Sequence, residues 1–112
     1  MSQEFQIDIP PSFMALYLAP GQIKPTLGQR DMAARYELCE DLANMLTEQA
    51  AQMPSSLGIT EELVLQQCEA GLKTEPTVVT PAEARWVVCR LAELLHWPMA
   101  QLLDAPAPTR QR

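Results

Sequence analysis

Apolar residues recur at helical spacing in several stretches of this chain, and prolines and glycines fall mostly between those stretches. The longest stretch predicts a helix from about Gln29 to Met53. Met32, Tyr36, Cys39, Ala43, Leu46, Ala50 and Met53 follow one another in alternating steps of four and three. Leu38, Leu42 and Met45 add a second stripe beside that seam, and a face this wide suits a helix packed in a bundle rather than a two-stranded coiled coil. Pro54 is expected to stop the helix, with Ser55 to Gly58 as the connection.

A second helix is expected to begin at Thr60, a capping residue followed by Glu61 and Glu62, and to run through Leu63, Val64, Leu65, Cys68 and Leu72 to an end near Gly71. Residues 73–79 read as a loop. Thr80-Pro81-Ala82-Glu83 then carries the sharpest local signal. Thr80 caps, Pro81 takes the first helical position, and Glu83 reaches back to complete a capping box. The helix it opens continues through Val87, Val88, Leu91 and Leu94 to Trp97, where Pro98 breaks it before a short last helix through Met99, Leu102 and Leu103.

At the other end, Pro10 and Pro11 precede a short helix from Ser12 to Leu18 that Pro20 and Gly21 close. The predicted organisation is an extended arm over residues 1–9, a helical bundle domain over 10–104, and a disordered tail over 105–112 that lacks core-forming side chains. The fold class is all-α: a small single-domain bundle of three main helices and two short ones.

Composition narrows the range of functions. Apolar residues make up 47% of the 112 positions, enough for one core without a metal or disulfide. The net charge of -6 disfavours a nucleic-acid partner. The N-terminus has neither the basic start nor the apolar run of a signal peptide, and no run is long enough to span a membrane, so a cytoplasmic protein is expected. Cys39, Cys68 and Cys89 are widely spaced with no CxxC pair, and read as reduced, buried thiols.

No phosphate-binding GxxxxGK[ST], no GxGxxG and no GxSxG occurs. Cys89 and His96 share a helix face but lie about 10 Å apart along it, too far for a nucleophile–base pair. The reading is therefore non-enzymatic, without a cofactor. Glu93 and His96 have the Glu-x-x-His spacing of di-iron bundles, so a dimeric metal-binding or redox bundle is the alternative. Against it, Glu93 can be solvated and His96 can cap the helix end. Arg30, Arg35, Arg85 and Arg90 are expected to pair with Glu37, Glu40, Glu83 and Glu93 on solvated faces.

Phe13, Met14, Leu16, Tyr17 and Leu18 cover nearly every face of the first short helix, which must be buried in its own fold or by a partner. The leading functional expectation is a cytoplasmic protein-binding module, an adaptor or small chaperone. Its expected contacts are Phe13, Leu16, Tyr17 and Leu18, with Trp86 as a further anchor and self-association as a further option.

Arg90 to Leu103 resembles the helix–turn–helix pairs of repressor-type domains, which would imply a transcriptional regulator, although no recognition helix is covered. The blocks Arg35 to Leu42, Leu57 to Glu62 and Thr80 to Trp86 resemble small uncharacterised proteobacterial proteins, some of which carry the label "ATPase with chaperone activity". That resemblance implies association with a chaperone ATPase as an adaptor, since an ATPase itself would need phosphate-binding machinery that the sequence lacks.

Overall fold

A computed structural model describes residues 8–18, 21 and 25–97, and among these all regular structure is helical. A short α1 (Pro11–Met14) runs into a single 3-10 turn (Ala15–Tyr17). It is followed by α2 (Gln29–Leu57), α3 (Glu61–Leu72) and α4 (Pro81–Leu95). The all-α expectation holds. Residues 1–7 of the arm expected over 1–9, the short helix expected through Met99, Leu102 and Leu103, and the tail expected over 105–112 lie outside the described residues.

α4 is the central element. Ala84, Trp86, Val87, Val88, Leu91 and Ala92 are all buried, and α1, α2 and α3 each pack on this helix. Ion pairs fix the directions. Arg35 meets Glu83 and Glu40 meets Arg90, so α2 and α4 run parallel, whereas Glu69 meets Arg85 with Val64 and Leu65 beside Val88 and Leu91, so α3 runs antiparallel to α4. Of the predicted seam on α2, Met32, Cys39, Ala43 and Ala50 are buried and Tyr36, Leu46 and Met53 are half-buried. The second stripe turns inward at Leu38 and Leu42 but not at Met45, which is 73% exposed.

The end of α2 differs from expectation. α2 does not stop at Pro54 but continues to Leu57. A proline removes its own N–H bond and crowds the carbonyl four residues back, a cost of about 3 kcal/mol deep inside a helix. The actual stop is Gly58, whose left-handed backbone (φ 67°) lets the Ile59 N–H donate to the Pro54 carbonyl at 3.2 Å. α3 ends at Leu72, close to the expected end near Gly71, which is helical.

At the end of α4, His96 takes the left-handed conformation (φ 62°) that glycine usually supplies, and the Trp97 N–H donates to the Ala92 carbonyl at 2.8 Å. This folds Trp97 back onto the Val64, Leu65, Leu91 cluster. His96 is thus the cap, as expected, but through its backbone.

The Thr80 capping box forms as predicted. The Glu83 N–H donates to Thr80 Oγ1 at 3.1 Å and the Thr80 N–H donates to Glu83 Oε1 at 2.9 Å. Glu83 was expected on a solvated face, yet it is 1% exposed. Its carboxylate also accepts Arg35 Nε at 3.0 Å, an Arg35 terminal N–H at 2.6 Å, and the Tyr17 hydroxyl. Arg35 further donates to the Val78 carbonyl at 2.8 Å. Burial alone would push the Glu83 carboxyl up. The hydrogen bonds from Arg35, Tyr17 and Thr80, with the Arg35 charge, outweigh it and hold the group down at about 2.

Glu83→Gln is expected to destabilise the fold by about 3 kcal/mol, since it breaks a mostly buried, multiply bonded ion pair. The folded carboxyl titrates below its ordinary value of 4.5, so the unfolded chain takes up the proton first. Its contribution is complete above about pH 4.5 and is lost as the pH falls towards 2; urea unfolding from pH 7 to pH 2.5 should show that slope in the parent and a reduced slope in Glu83→Gln. His96→Gly should gain about 1 kcal/mol in the same assay at neutral pH, by relieving the left-handed residue.

Candidate functional site

α2 and α3 both lean on α4, and between them an apolar groove of about 280 Å³ opens. Leu46, Ala50 and Met53 line it from α2. Cys68, Gly71 and Leu72 line it from α3, with the exposed Gln49 and Gln67 beside them. Met45 lies one turn before Gln49 on α2 and extends that edge with a flexible apolar side chain, a type suited to adaptable contact surfaces.

Gly71 is the unusual member. A glycine in a helix costs up to about 1 kcal/mol relative to alanine. Such a residue is normally explained by a positive φ or by a neighbour too close for a side chain. Gly71 has neither: its backbone is right-handed, and a Cβ built there meets nothing within 4 Å. It lies in the last turn of α3, one residue before the helix ends at Leu72. Its signal in the sequence is its position three residues after Cys68, on the stripe that Leu72 continues.

The residues expected to meet a partner are placed differently from one another. Phe13 is fully buried, with ring contacts to Tyr17 (5.5 Å), Tyr36 (5.6 Å) and Trp86 (5.0 Å). Trp86 is 8% exposed and donates its indole N–H to Ser12 Oγ at 3.0 Å. In this conformation both are core, because the helix that carries Phe13 satisfies its all-round apolar surface against α2 and α4. Leu16 and Tyr17 are half-buried on the same cluster, and only Leu18, 38% exposed, offers much surface. These five therefore belong to a different region from the α2–α3 groove.

Two of the four arginines, Arg35 and Arg90, pair with acids of the expected set. Arg90 Nε donates to both Glu40 oxygens (2.9 and 3.1 Å) and an Arg90 terminal nitrogen donates to Glu93 at 3.1 Å. Arg85 instead reaches Glu69 at 3.0 Å, where Lys73 also lies at 3.4 Å. Glu93 is thus exposed and ion-paired, and His96 is exposed at the left-handed cap. Among the described residues, no group of three or more His, Cys, Asp or Glu side chains is placed to hold a metal ion, and no helix is long and apolar enough to cross a membrane.

The three cysteines are free thiols. Burial, then the Glu83 charge, pushes Cys39 up to about 12, and burial raises Cys68 as well. Thiolate is the reactive form, so Cys39 should resist a thiol reagent in the native protein at pH 8 and react only at the rate of unfolding. Mass mapping of the modified residues over time checks this, and early modification of Cys39 would contradict its placement in the core.

Comparison with known protein families, with curated proteins and with solved structures finds no match to this chain.

Proposed function

We propose that this chain is a non-enzymatic protein-binding module of the adaptor or small-chaperone type, and that the α2–α3 groove receives an amphipathic helix of a partner protein. The observation that carries the reading is Gly71: a helical glycine with open space above it, on the wall of an apolar groove. Small residues let a second helix approach its neighbour's backbone closely, as Ala50 opposite also permits. Leu46, Met53, Met45 and Leu72 supply the apolar surface that such a helix buries at i, i+3 and i+4 anchors. The glutamines beside the groove leave the approach free of charge. A cytoplasmic setting is part of the proposal and is supported by three free thiols, which persist in a reducing compartment.

The test separates binding from folding. Gly71→Gln places a good helix former where there is room, and should leave the fold intact or raise its stability by about 0.5 kcal/mol. Met45→Glu changes a side chain that is 73% exposed and should leave stability within about 0.5 kcal/mol. Each chain is isolated at its natural level from its own cells, and the proteins bound to it are quantified by mass spectrometry. A near-stoichiometric partner held by the parent and lost from both variants is expected, and a chaperone ATPase in that role would make the chain its adaptor. Equal recovery with all three chains would overturn the groove as the site. A dimer of the parent that Gly71→Gln dissociates would replace the partner helix by a second copy.

A further inference from the structure

The residues that line the α2–α3 groove are all uncharged, but its two shoulders differ. On α2 the exposed Met45 marks the rim. Asp41 stands four residues before it and Glu48 three after it, the spacings that make neighbours on a helix surface. Glu37 extends the same row by one more turn. All three carboxylates are exposed. On α3 the corresponding row runs through Leu63, Gln67 and Gly71 at four-residue steps and holds no ionisable group.

The acidic row has no cation of its own. Arg35 is held by Glu83, Lys73 and Arg85 by Glu69, and Arg90 by Glu40 and Glu93. No ion pair among the described residues uses Glu37, Asp41 or Glu48. Arg30, at the start of α2, lies about 16 Å from Asp41 along the helix. A row of charge at the rim of an interface contributes chiefly to the choice of partner and to its orientation. A second copy of this chain does not supply the match. Among its described residues, every cation but Arg30 is held by its own carboxylates at the seams just named.

We propose that the helix received by the α2–α3 groove carries lysine or arginine along one edge of its apolar stripe, and lies with that edge against Asp41 and Glu48. This rests on the groove as the docking site and adds the partner's chemistry and direction. Asp41 and Glu48 are about 10 Å apart along α2, the rise of seven residues in a helix lying alongside. Two cations seven residues apart therefore meet both carboxylates. A helix turned end for end presents its other edge to α2, so cations on a single edge admit one direction only. The uncharged α3 shoulder makes no such demand.

Two synthetic amphipathic helical peptides of identical composition test the proposal. Both carry a leucine stripe with a central alanine. One has two lysines, seven residues apart, beside the stripe, and its isomer has them on the opposite face. Binding to the full-length parent is measured by calorimetry at low salt. The edge peptide should bind about fivefold more tightly than its isomer, the effect of two exposed ion pairs. Asp41→Lys with Glu48→Lys should abolish that preference. Asp8→Lys with Glu75→Lys changes the net charge equally at two exposed positions that do not line the groove, and should keep it. Equal binding of the two peptides to the parent, binding of neither, or a preference that survives Asp41→Lys with Glu48→Lys overturns the charged edge. If the peptides bind equally and Gly71→Gln weakens both, the groove stands without that edge. A preference for the edge peptide undiminished in Gly71→Gln overturns both, since the acidic row then acts without the groove.

Discussion

The buried carboxylate of Glu83 is the constraint on which the rest of the structure hangs. A carboxylate taken out of water is tolerated only when its lone pairs are occupied and its charge is met. Here four donors converge on it: two N–H groups of Arg35, the Tyr17 hydroxyl and the Thr80 backbone N–H. Two oxygens offer about four acceptor sites, so the group is close to saturation. The donors come from the turn after α1, the early part of α2 and the residue that caps α4. Because Arg35 also holds the Val78 carbonyl, the loop entering α4 is tied to the same point. One side chain thus registers three segments that are far apart in sequence: the turn at Tyr17, the start of α2, and the stretch from Val78 to Glu83 that opens α4.

The packing follows from that registration. With Tyr17 held at Glu83, Phe13 falls one turn earlier, at the junction of Tyr36 and Trp86, and the three rings close around it edge to face. Cys39 and Ala43 continue that cluster along α2, and Ala50 begins a second one with Val64, Leu65 and Leu91. α4 supplies the inner face of both. Since α2 and α3 satisfy their apolar surface chiefly against α4, they need little from one another, and the groove between them is what remains.

Much of this was legible in the residues alone, and the reasons for the failures are specific. The heptad seam of α2 and the Thr80 capping box were readable because each depends on neighbours within a turn or two. The end of α2 was misread because a proline was weighted above the glycine four residues later, although it is the glycine that supplies the left-handed stop. Glu83 was recognised as a cap but not as a hub, since its other partners, Arg35 and Tyr17, lie 48 and 66 residues away in the chain. Phe13 and Trp86, expected as partner contacts, are buried in the described fold, and an all-round apolar helix such as that of Phe13 does not reveal whether its own fold will cover it. The α2–α3 groove was not readable at all, since a groove is defined by what two helices fail to bury.

Two residues break local rules in otherwise consistent helices, and they differ in a way that bears on function. Departures from local preference in natural sequences tend to have a compensating gain. For His96 the gain is visible: its left-handed backbone turns Trp97 onto the second core cluster and lets the Trp97 N–H reach Ala92. For Gly71 no gain lies within the described chain. Its φ needs no glycine, and no neighbour forbids a side chain, so the helix gives up stability there for nothing the fold itself uses. The groove that Gly71 lines would turn that sacrifice into close contact once a second backbone lies against it. The proposed docking of a partner helix would account for a residue that costs the monomer.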